Sequence, residues 1–498
     1  MRRSGDIGRV WETRGASARA PGSRPTLLLL AILAAAALLR LGTADHSLWY
    51  DELASLEFAR QPIHRLWSAW MVRETNPPLF YSLLAGSMAL FGDSDIALRL
   101  LPIAIGLSGI WAAFLLGRTL GGPRAALLAA MLLALSAQHV DFSQQVRAYG
   151  LAHTAVLFAC LGMVLYLRRR STAGLVLYAA ATLTALYAHT TLALFAGLAA
   201  VMMLWLLRGD RRAQLRWLVA NGGVLALWSW WAAITLRQLA MPVTNIAWIG
   251  APSVREAIDM TAVAYLPMYL RAAGPVGTAL LVGLFAGLGA WVVRARRPDL
   301  TLLAVLVAGA PLLLFAISQR VPIFLPRTLS WASGPALVLL SVAVVQIRSR
   351  LVAAAAAAAL LASSALGLAA WLPDRERDQW RQAAAAVERL HPLPVFAGDD
   401  AVALAILKYR ASPASGFTPI VVQAPWRERW AAGLYPGPHL SPAAARRLIR
   451  TRGCAVAIGW GPMYPPILEG AATRRIGPPD RQPEVLLVHL PGGRECSR

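Results

Sequence analysis

The sequence from residue 25 to residue 42 reads PTLLLLAILAAAALLRLG, and Arg40 is its only charged residue. As an α-helix this run would be about 27 Å long, close to the thickness of the hydrocarbon core of a membrane. Runs of similar length and composition recur along the chain, for example LTLLAVLVAGAPLLLFAIS at residues 300–318. The sequence therefore predicts a polytopic α-helical membrane protein.

The composition excludes a soluble protein. Hydrophobic residues make up 57% of the 498 positions, and charged residues make up 15%. The net charge of +23 comes from arginines clustered between apolar runs, which is typical of cytoplasmic loops and not of a nucleic-acid-binding domain. The three cysteines, Cys160, Cys454 and Cys496, indicate neither a zinc site nor a disulfide framework.

About eleven apolar runs are predicted to cross the membrane, and one further run is not. The excluded run, Pro77 to Phe91, would cover only about 22 Å. If it lies on the membrane surface, with Asn76 as its cap and Pro77 at the first helical position, the later arginine clusters all fall on the side of the N-terminus. The runs predicted to cross are 25–42, 96–117, 124–140, 148–167, 172–188, 190–207, 217–236, 274–293, 300–318, 329–347 and 351–372.

This topology predicts three segments of a multi-pass protein of the inner or plasma membrane. Residues 1–24 are predicted to be a basic, disordered cytoplasmic segment ahead of an uncleaved anchor, because no small-residue cleavage pattern follows the first run. Residues 25–372 are predicted to form the membrane domain. Residues 373–498 are predicted to form a small extracytoplasmic α/β domain.

In the C-terminal domain, helical patterns near 377–390 and 401–409 alternate with short strand-like runs. The predicted strands are 394–397, 419–423, 455–459 and 485–490. Four tryptophans are candidates either for stacking on sugar rings or for the domain's hydrophobic core. They are Trp380, Trp426, Trp430 and Trp460.

Charged and amide side chains gather at the predicted outer ends of the spans, where a membrane enzyme would place its chemistry. The sequence HSLWYDE at 46–52 follows the first span, and its Asp51 and Glu52 form an adjacent acidic pair. One carboxylate can face the membrane surface while the other turns away. An acidic pair also suits the positive N-terminal end of a helix, so the pair has both a catalytic and a structural interpretation.

A second group runs from TNPPLFY at 75–81 to Asp93, Asp95 and Arg99. Asp93 and Asp95 form a D-x-D pattern, which holds a metal in enzymes that use nucleotide sugars. Nucleotide sugars are cytoplasmic whereas this segment is predicted to be external, so capping of the next span by Asp93 or Ser94 is favoured.

Two further groups lie in predicted outer turns. The sequence QHVDFSQQVRAY at 138–149 places Asp141, Gln145, Arg147 and Tyr149 between apolar runs. A functional role and structural hydrogen bonding both explain this group. Arg327 follows in the turn after the ninth span, where an arginine can anchor the helix at the interface or form a two-point contact with a lipid phosphate.

In this order, four motifs resemble those of the membrane-embedded GT-C glycosyltransferases, a group that includes protein O-mannosyltransferases and lipid A aminoarabinose transferases. The resemblance is sharp over about residues 40–170 and fades to a shared helix pattern by about residue 372. The motifs are the Asp-Glu pair, Pro-Pro-Leu-Phe-Tyr at 77–81, Phe-Gly-x-Ser-Asp at 91–95 with Arg99, and Ser-Gln-Gln-x-Arg-x-Tyr at 143–149.

The resemblance implies a GT-C-like fold and a set of site residues. It makes Asp51 the catalytic aspartate, with Glu52 and Asp141 as the other candidate carboxylates. We predict that Arg99, Arg147 and Arg327 bind the donor phosphate or organise the site, and that Asn76, Gln145 and Tyr149 position the substrates. Asn76 stands where protein mannosyltransferases usually carry His and aminoarabinose transferases usually carry Lys, so the donor and acceptor cannot be taken from either subgroup.

The predicted function is inverting transfer of a hexose or pentose from a polyprenyl-phosphate carrier to a lipid, glycan or protein acceptor at the outer face. Such a donor already has a good leaving group, so one carboxylate and a few arginines suffice. No cofactor or metal ligand set is predicted, although a divalent cation is compatible with the chemistry.

Two other classes of membrane protein would share this composition. A lipid or polysaccharide transporter should place charged or helix-breaking residues near the midplane of paired half-repeats, whereas these polar groups gather on one face. A non-catalytic receptor or assembly protein gives no reason for the polar constellation around Asp51 and Arg147. Both alternatives are therefore less favoured than the enzyme.

Overall fold

The computed structural model describes residues 23–241, 249–268, 274–411, 417–422, 434–459, 465–476 and 483–491. Nearly all of the predicted N-terminal segment 1–24, and Trp426, Trp430 and Trp460, lie outside the described residues. The helices are α1 (Ser23–Gly42), α2 (Tyr50–Ala59), α3 (Ile63–Leu66), α4 (Leu79–Phe91), α5 (Asp95–Leu135), α6 (Ala137–Gln144), α7 (Tyr149–Arg169), α8 (Thr172–Ala188), α9 (Ala193–Leu206), α10 (Arg211–Leu239), α11 (Val254–Tyr265), α12 (Gly274–Ala295), α13 (Pro298–Ser318), α14 (Pro326–Leu329), α15 (Ser333–Val345), α16 (Arg350–Trp371), α17 (Trp380–Glu388), α18 (Asp400–Tyr409) and α19 (Pro442–Arg452). The strands are β1 (Val395–Ala397), β2 (Ile420–Val422), β3 (His439–Leu440), β4 (Cys454–Gly459), β5 (Ala472–Arg475) and β6 (Glu484–His489).

Most of the helices form an apolar bundle of membrane-spanning dimensions. Eight helices among the described residues are long and apolar enough to cross a membrane, and α4, α8 and residues 190–206 are shorter apolar helices. Helix α5 consists of two helical arms joined at Gly122. The φ of Gly122 is +81°, a value that glycine adopts readily and that interrupts the helix. With both arms counted and α8 and residues 190–206 included, the described residues hold the eleven apolar helices predicted to cross. The protein is a multi-pass integral membrane protein.

Arginines mark one end of the bundle. Arg168 and Arg297 both pair with Asp299, and they also donate to the carbonyls of Thr119 and Leu120, respectively. Arg170 at the end of α7 pairs with Asp210 at the start of α10, 2.9 Å away. We call this end the arginine face. The opposite end carries the C-terminal domain, and we call it the domain face.

Helix α4 begins and ends at the domain face. Before its first residue, the carbonyl of Thr75 accepts a hydrogen bond from Thr190, at the end of α8. After its last residue, the carbonyl of Asp93 accepts one from Lys408 of the C-terminal domain. The helix therefore does not cross the bundle, in agreement with the charge argument.

The start of α4 differs from the prediction. The helix begins at Leu79 and not at Pro77, and the Asn76 side chain bonds Glu74 instead of capping it. The reason is steric: a residue that precedes a proline is disfavoured in the helical region, and Pro77 precedes Pro78. The two prolines thus delay the start of the helix by two residues.

The C-terminal domain is a six-stranded sheet in the order β3-β2-β1-β4-β6-β5, flanked by α17, α18 and α19. The first four strands of this order are parallel, and β6 and β5 are antiparallel. Strand β4 is buried along its whole length, as expected for a central strand. The four predicted strands and two predicted helices are present, whereas β3, β5 and α19 were not predicted.

Two side chains settle earlier expectations. Trp380 is fully buried, so it belongs to the domain core and not to a sugar-stacking surface. Cys454 is disulfide-bonded, although the cysteine pattern indicated no disulfide framework. Two cysteines distant in sequence carry no recognisable spacing, so the pattern alone could not reveal a bond of this kind.

Candidate active site

Asp51 lies in the first turn of α2, at the domain face. Its side chain is 24% exposed, and its Oδ2 atom lies 3.9 Å from Nη1 of Arg327. Arg327 is held in place by α14, which begins with Pro326 directly after an extended residue. Asp51 and Arg327 are thus far apart in the sequence but close together in the structure, beside an open cleft.

Glu52 has the opposite environment. It is 1% exposed, and its carboxylate accepts hydrogen bonds from the backbone N–H groups of Trp49 (2.9 Å) and Val146 (2.7 Å). It also pairs at 3.3 Å with Arg99, which is itself fully buried. Burial raises the pKa of Glu52, and the charge of Arg99 opposes that rise.

This arrangement corrects two predicted roles. Glu52 is not a candidate catalytic acid, because its oxygens are turned into the protein. Arg99 cannot reach a donor phosphate, because its guanidinium is buried against His46, Ser47 and Glu52. The pair instead joins the α2 start to the beginning of α5.

The outer turn between α6 and α7 supplies the next polar groups. Arg147 donates to the carbonyl of Asp51 (3.2 Å) and to the hydroxyl of Ser55 (3.3 Å), and it is 8% exposed. Its guanidinium lies 5.9 Å from the ring centre of Tyr149. Arg147 therefore touches the catalytic candidate through its backbone and holds the first turn of α2.

Asp141 and Gln145 lie on the cleft side of the same turn. The amide of Gln145 donates to Asp141 at 2.8 Å. Asp141 also pairs at 2.7 Å with Arg377, which comes from the segment just after the last span. The positive charge of Arg377 thus offsets the negative charge of Asp141. Arg327 lies near Asp51 in a similar way.

A cleft of about 280 Å³ opens between these groups. Its lining contains both polar and apolar side chains. The polar lining is Trp49, Gln138, Asp141, Gln145, Tyr149, Arg327 and Arg377. The apolar lining is Ala137, Phe142, Val263, Met268, Leu325, Pro326 and Trp371. A cleft lined by apolar side chains and two arginines suits a molecule with both a hydrocarbon chain and an anionic group.

The fold and one segment of sequence match known glycosyltransferases. Residues 75–233 match the family model described as dolichyl-phosphate-mannose-protein mannosyltransferase. The apo structure of ArnT from Cupriavidus metallidurans is similar with a TM-score of 0.61 and 13% identity, covering 93% of this chain and 97% of that chain. The same protein bound to undecaprenyl phosphate gives a TM-score of 0.62 and 14% identity, covering 94% and 98% of the two chains. The chain has the fold of the GT-C glycosyltransferases.

Two further comparisons complete this result. The oligosaccharyltransferase of Archaeoglobus fulgidus in its apo form has a TM-score of 0.50 and 12% identity, with 78% of this chain and 64% of that chain covered. No curated protein matches the chain by sequence. The GT-C resemblance seen in the motifs is confirmed, as is the fold class.

One residue that lines the cleft, Arg377, was not predicted as a site residue. Arg377 pairs with Asp141 and lies over the Trp49 ring, 4.6 Å from its centre. The available signal was its position: an arginine just beyond the last span, on the side where the positive-inside bias does not require one. The same reasoning had identified Arg147 and Arg327.

Asn76 lies away from the cleft lining. Its side chain and its backbone N–H both donate to Glu74, at 2.7 and 3.0 Å, and it is 7% exposed. The carbonyl of Glu74 accepts from Gln238 at the end of α10. The described contacts of Asn76 thus fix the turn before α4.

The residues of the D-x-D pattern, Asp93 and Asp95, make structural contacts. Ser94 caps α5, while Asp93 pairs with Arg60 and Asp95 with Arg381. In the part of the chain that the structure describes, no group of three or more His, Cys, Asp and Glu side chains is placed to hold a metal ion. Capping was the favoured interpretation of this motif.

A substitution at Glu52 tests its structural role. Glu52→Gln keeps one acceptor oxygen but leaves the buried Arg99 without a counter-charge, so we expect the free energy of unfolding to fall by about 3 kcal/mol. Thermal unfolding of the purified protein in detergent measures this loss. An unchanged melting temperature would show that the Arg99 charge is compensated elsewhere.

Proposed function

We propose that this protein transfers a sugar from a polyprenyl-phosphate carrier to an acceptor hydroxyl, with Asp51 as the general base. The observation that carries the proposal is the approach of Asp51 to 3.9 Å from Arg327, which lines a cleft together with Arg377 and several apolar side chains. The bound undecaprenyl phosphate of the similar ArnT structure supports the choice of a polyprenyl phosphate. The acceptor is a lipid, a glycan or a protein.

The proposed reaction is a single displacement. The acceptor oxygen forms a bond to the anomeric carbon, and its proton passes to the carboxylate of Asp51. The bond from that carbon to the phosphate oxygen breaks, and the electron pair leaves with the polyprenyl phosphate. One displacement inverts the anomeric configuration.

Arg327 has the matching role at the leaving group. The phosphate gains negative charge as its bond to the sugar breaks, so a fixed guanidinium stabilises the transition state more than the bound donor. Arg377 also lines the cleft. The proposed chemistry draws on these groups and on no metal or organic cofactor.

The proposed orientation places the domain face outside the cytoplasm. The arginine face then follows the positive-inside bias. The disulfide at Cys454 supports the same side for the C-terminal domain, because disulfides persist in oxidising compartments. With this orientation, the cleft opens on the side where lipid-linked sugars are presented.

The test of the function is a transfer assay with the purified protein in lipid vesicles. Polyprenyl-phosphate sugars are supplied one at a time, and mass spectrometry follows released polyprenyl phosphate and glycosylated lipids or proteins. We expect release that depends on an acceptor and is lost in Asp51→Asn. Movement of intact lipid-linked sugar across the vesicle without bond cleavage would instead identify a transporter.

Topology gives a separate prediction. Reporter fusions after Arg170, on the arginine face, and after Arg375, at the start of the C-terminal domain, should report inside and outside, respectively. The physical reason is that seven predicted crossings, an odd number, separate the two reporters, and the four crossings before Arg170 return the chain to the side of the N-terminus only when α4 does not cross. A reporter after Arg170 on the outside would contradict the non-crossing assignment of α4, and the same location for both reporters would contradict the number of crossings between them.

A further inference from the structure

The segment that leads into Asp51 is bound at nearly every residue by the C-terminal domain. The backbone N–H groups of Ser47, Leu48 and Tyr50 donate to side chains of that domain. Their acceptors are Glu376 at 3.1 Å, the hydroxyl of Tyr409 at 2.7 Å and Asp378 at 2.9 Å, respectively. Residues 47–50 therefore take their backbone position from a domain that lies more than 300 residues away in sequence.

Asp378 supplies a missing helix cap. The first N–H groups of a helix have no partner within it, and Trp49 at the cap position of α2 has no side chain that can accept a hydrogen bond. Glu52 accepts from Trp49 N–H, and Asp378 accepts from Tyr50 N–H, the first residue of the helix. The start of α2 is thus capped by one acid of its own and one acid of the C-terminal domain.

Tyr50 is held at a second point. Its hydroxyl donates to Asp399, which also caps α18, at 2.9 Å. The Tyr50 side chain is buried, as are Asp378 and Asp399. The residue directly before Asp51 is therefore fixed at its backbone and at the far end of its side chain.

We propose that the C-terminal domain is part of the active site, because it sets the position of Asp51 through Tyr50, with Asp378 as the main positioning residue. This inference rests on the proposed function, in which Asp51 receives the proton of the acceptor. A displacement of about 1 Å at a reacting group can cost about a hundredfold in rate. Asp378 touches neither the cleft nor Arg327, so its effect should fall on the chemical step and not on donor binding.

The test compares kcat and the KM for the donor in the full-length protein. Asp378→Ala removes the acceptor for Tyr50 N–H, and we expect kcat to fall by about 10-fold to 100-fold while the donor KM stays within about twofold. Asp378→Asn keeps an acceptor oxygen and should retain most of the activity. Burial raises the pKa of Asp378 to about 7, so near neutral pH the carboxyl is already partly uncharged and Asn replaces it closely.

Two more variants separate positioning from loss of folding. Tyr50→Phe removes only the hydroxyl that bonds Asp399, and we expect a smaller loss of kcat with an unchanged donor KM. The matched control is Glu388→Ala, since Glu388 also accepts a backbone N–H bond, from Ala411, within the C-terminal domain and away from α2. It should behave as the wild type.

The outcomes are distinct. Full activity in Asp378→Ala, or equal losses in Asp378→Ala and Glu388→Ala, would overturn the positioning role. If Asp378→Ala does not fold, a wild-type kcat in Tyr50→Phe overturns it as well. Full activity in Asp51→Asn would instead overturn the proposed function, whatever the effect of Asp378.

Discussion

Replacement of Asp51 by Asn is expected to lower the rate of sugar transfer by about two to four orders of magnitude, the usual contribution of a positioned general base. Asn keeps the shape and nearly the volume of the side chain but cannot accept the proton of the acceptor hydroxyl. The carboxylate is partly exposed beside the cleft, so its loss should leave folding intact. Turnover in vesicles and the melting temperature in detergent measure the two effects.

The matched control for Asp51 is Glu57→Gln. Glu57 lies on the same helix and pairs with Arg60, which also pairs with Asp93 and therefore keeps a partner. The described ion pair of Glu57 is with Arg60 and not with the cleft residue Arg327, so its substitution should cost little activity. If Asp51→Asn retains transfer while Asp141→Asn abolishes it, the base is Asp141.

Replacement of Arg327 by Ala is expected to lower kcat/KM by about two to three orders of magnitude, the cost of removing one donor that stabilises charge in the transition state. Arg327→Lys keeps the charge but loses the two-point contact with phosphate, so its activity should lie between those of Ala and the wild type. Initial rates over a range of donor concentrations separate the effects on kcat and KM.

Arg320→Ala is the control for Arg327. Arg320 lies in the connection between α13 and α14, seven residues before Arg327. It is exposed and does not line the cleft. Arg320→Ala removes one positive charge, as Arg327→Ala does, and should leave transfer nearly unchanged. Equal losses in the two variants would mean that Arg327 acts through general attraction of anionic lipids and not at the reacting phosphate.

The membrane topology was predictable because the bilayer imposes a length on each apolar helix. Helix length alone did not decide whether Pro77 to Phe91 crosses the membrane, and the placement of the arginine clusters excluded it from the spans. In the structure, both ends of α4 lie at the domain face. Four of the six strands of the C-terminal domain were predictable from short strand-like runs. Strands β3 and β5 were missed because the former has two residues and the latter is exposed at the sheet edge.

The site was predictable in part. Asp141, Gln145, Tyr149 and Arg327 line the cleft and Asp51 approaches Arg327, because outer turns of neighbouring helices converge at one face. The residue pattern alone did not separate Asp51 from Glu52, since adjacent residues at the start of a helix can each turn inward or outward, and only the family resemblance favoured Asp51.

By itself, the amino-acid sequence determined the number of apolar helices, the face that carries the polar groups and the GT-C resemblance, because these depend on local length, charge and motif order. Only the tertiary structure decided that Glu52 and Arg99 are a buried pair and that Arg377 reaches Asp141. It alone brought Asp378 to the N-terminus of α2, 328 residues away in sequence. The physical reason is that a buried polar group must find its partner in space, and the choice of partner depends on how the helices and the C-terminal domain pack.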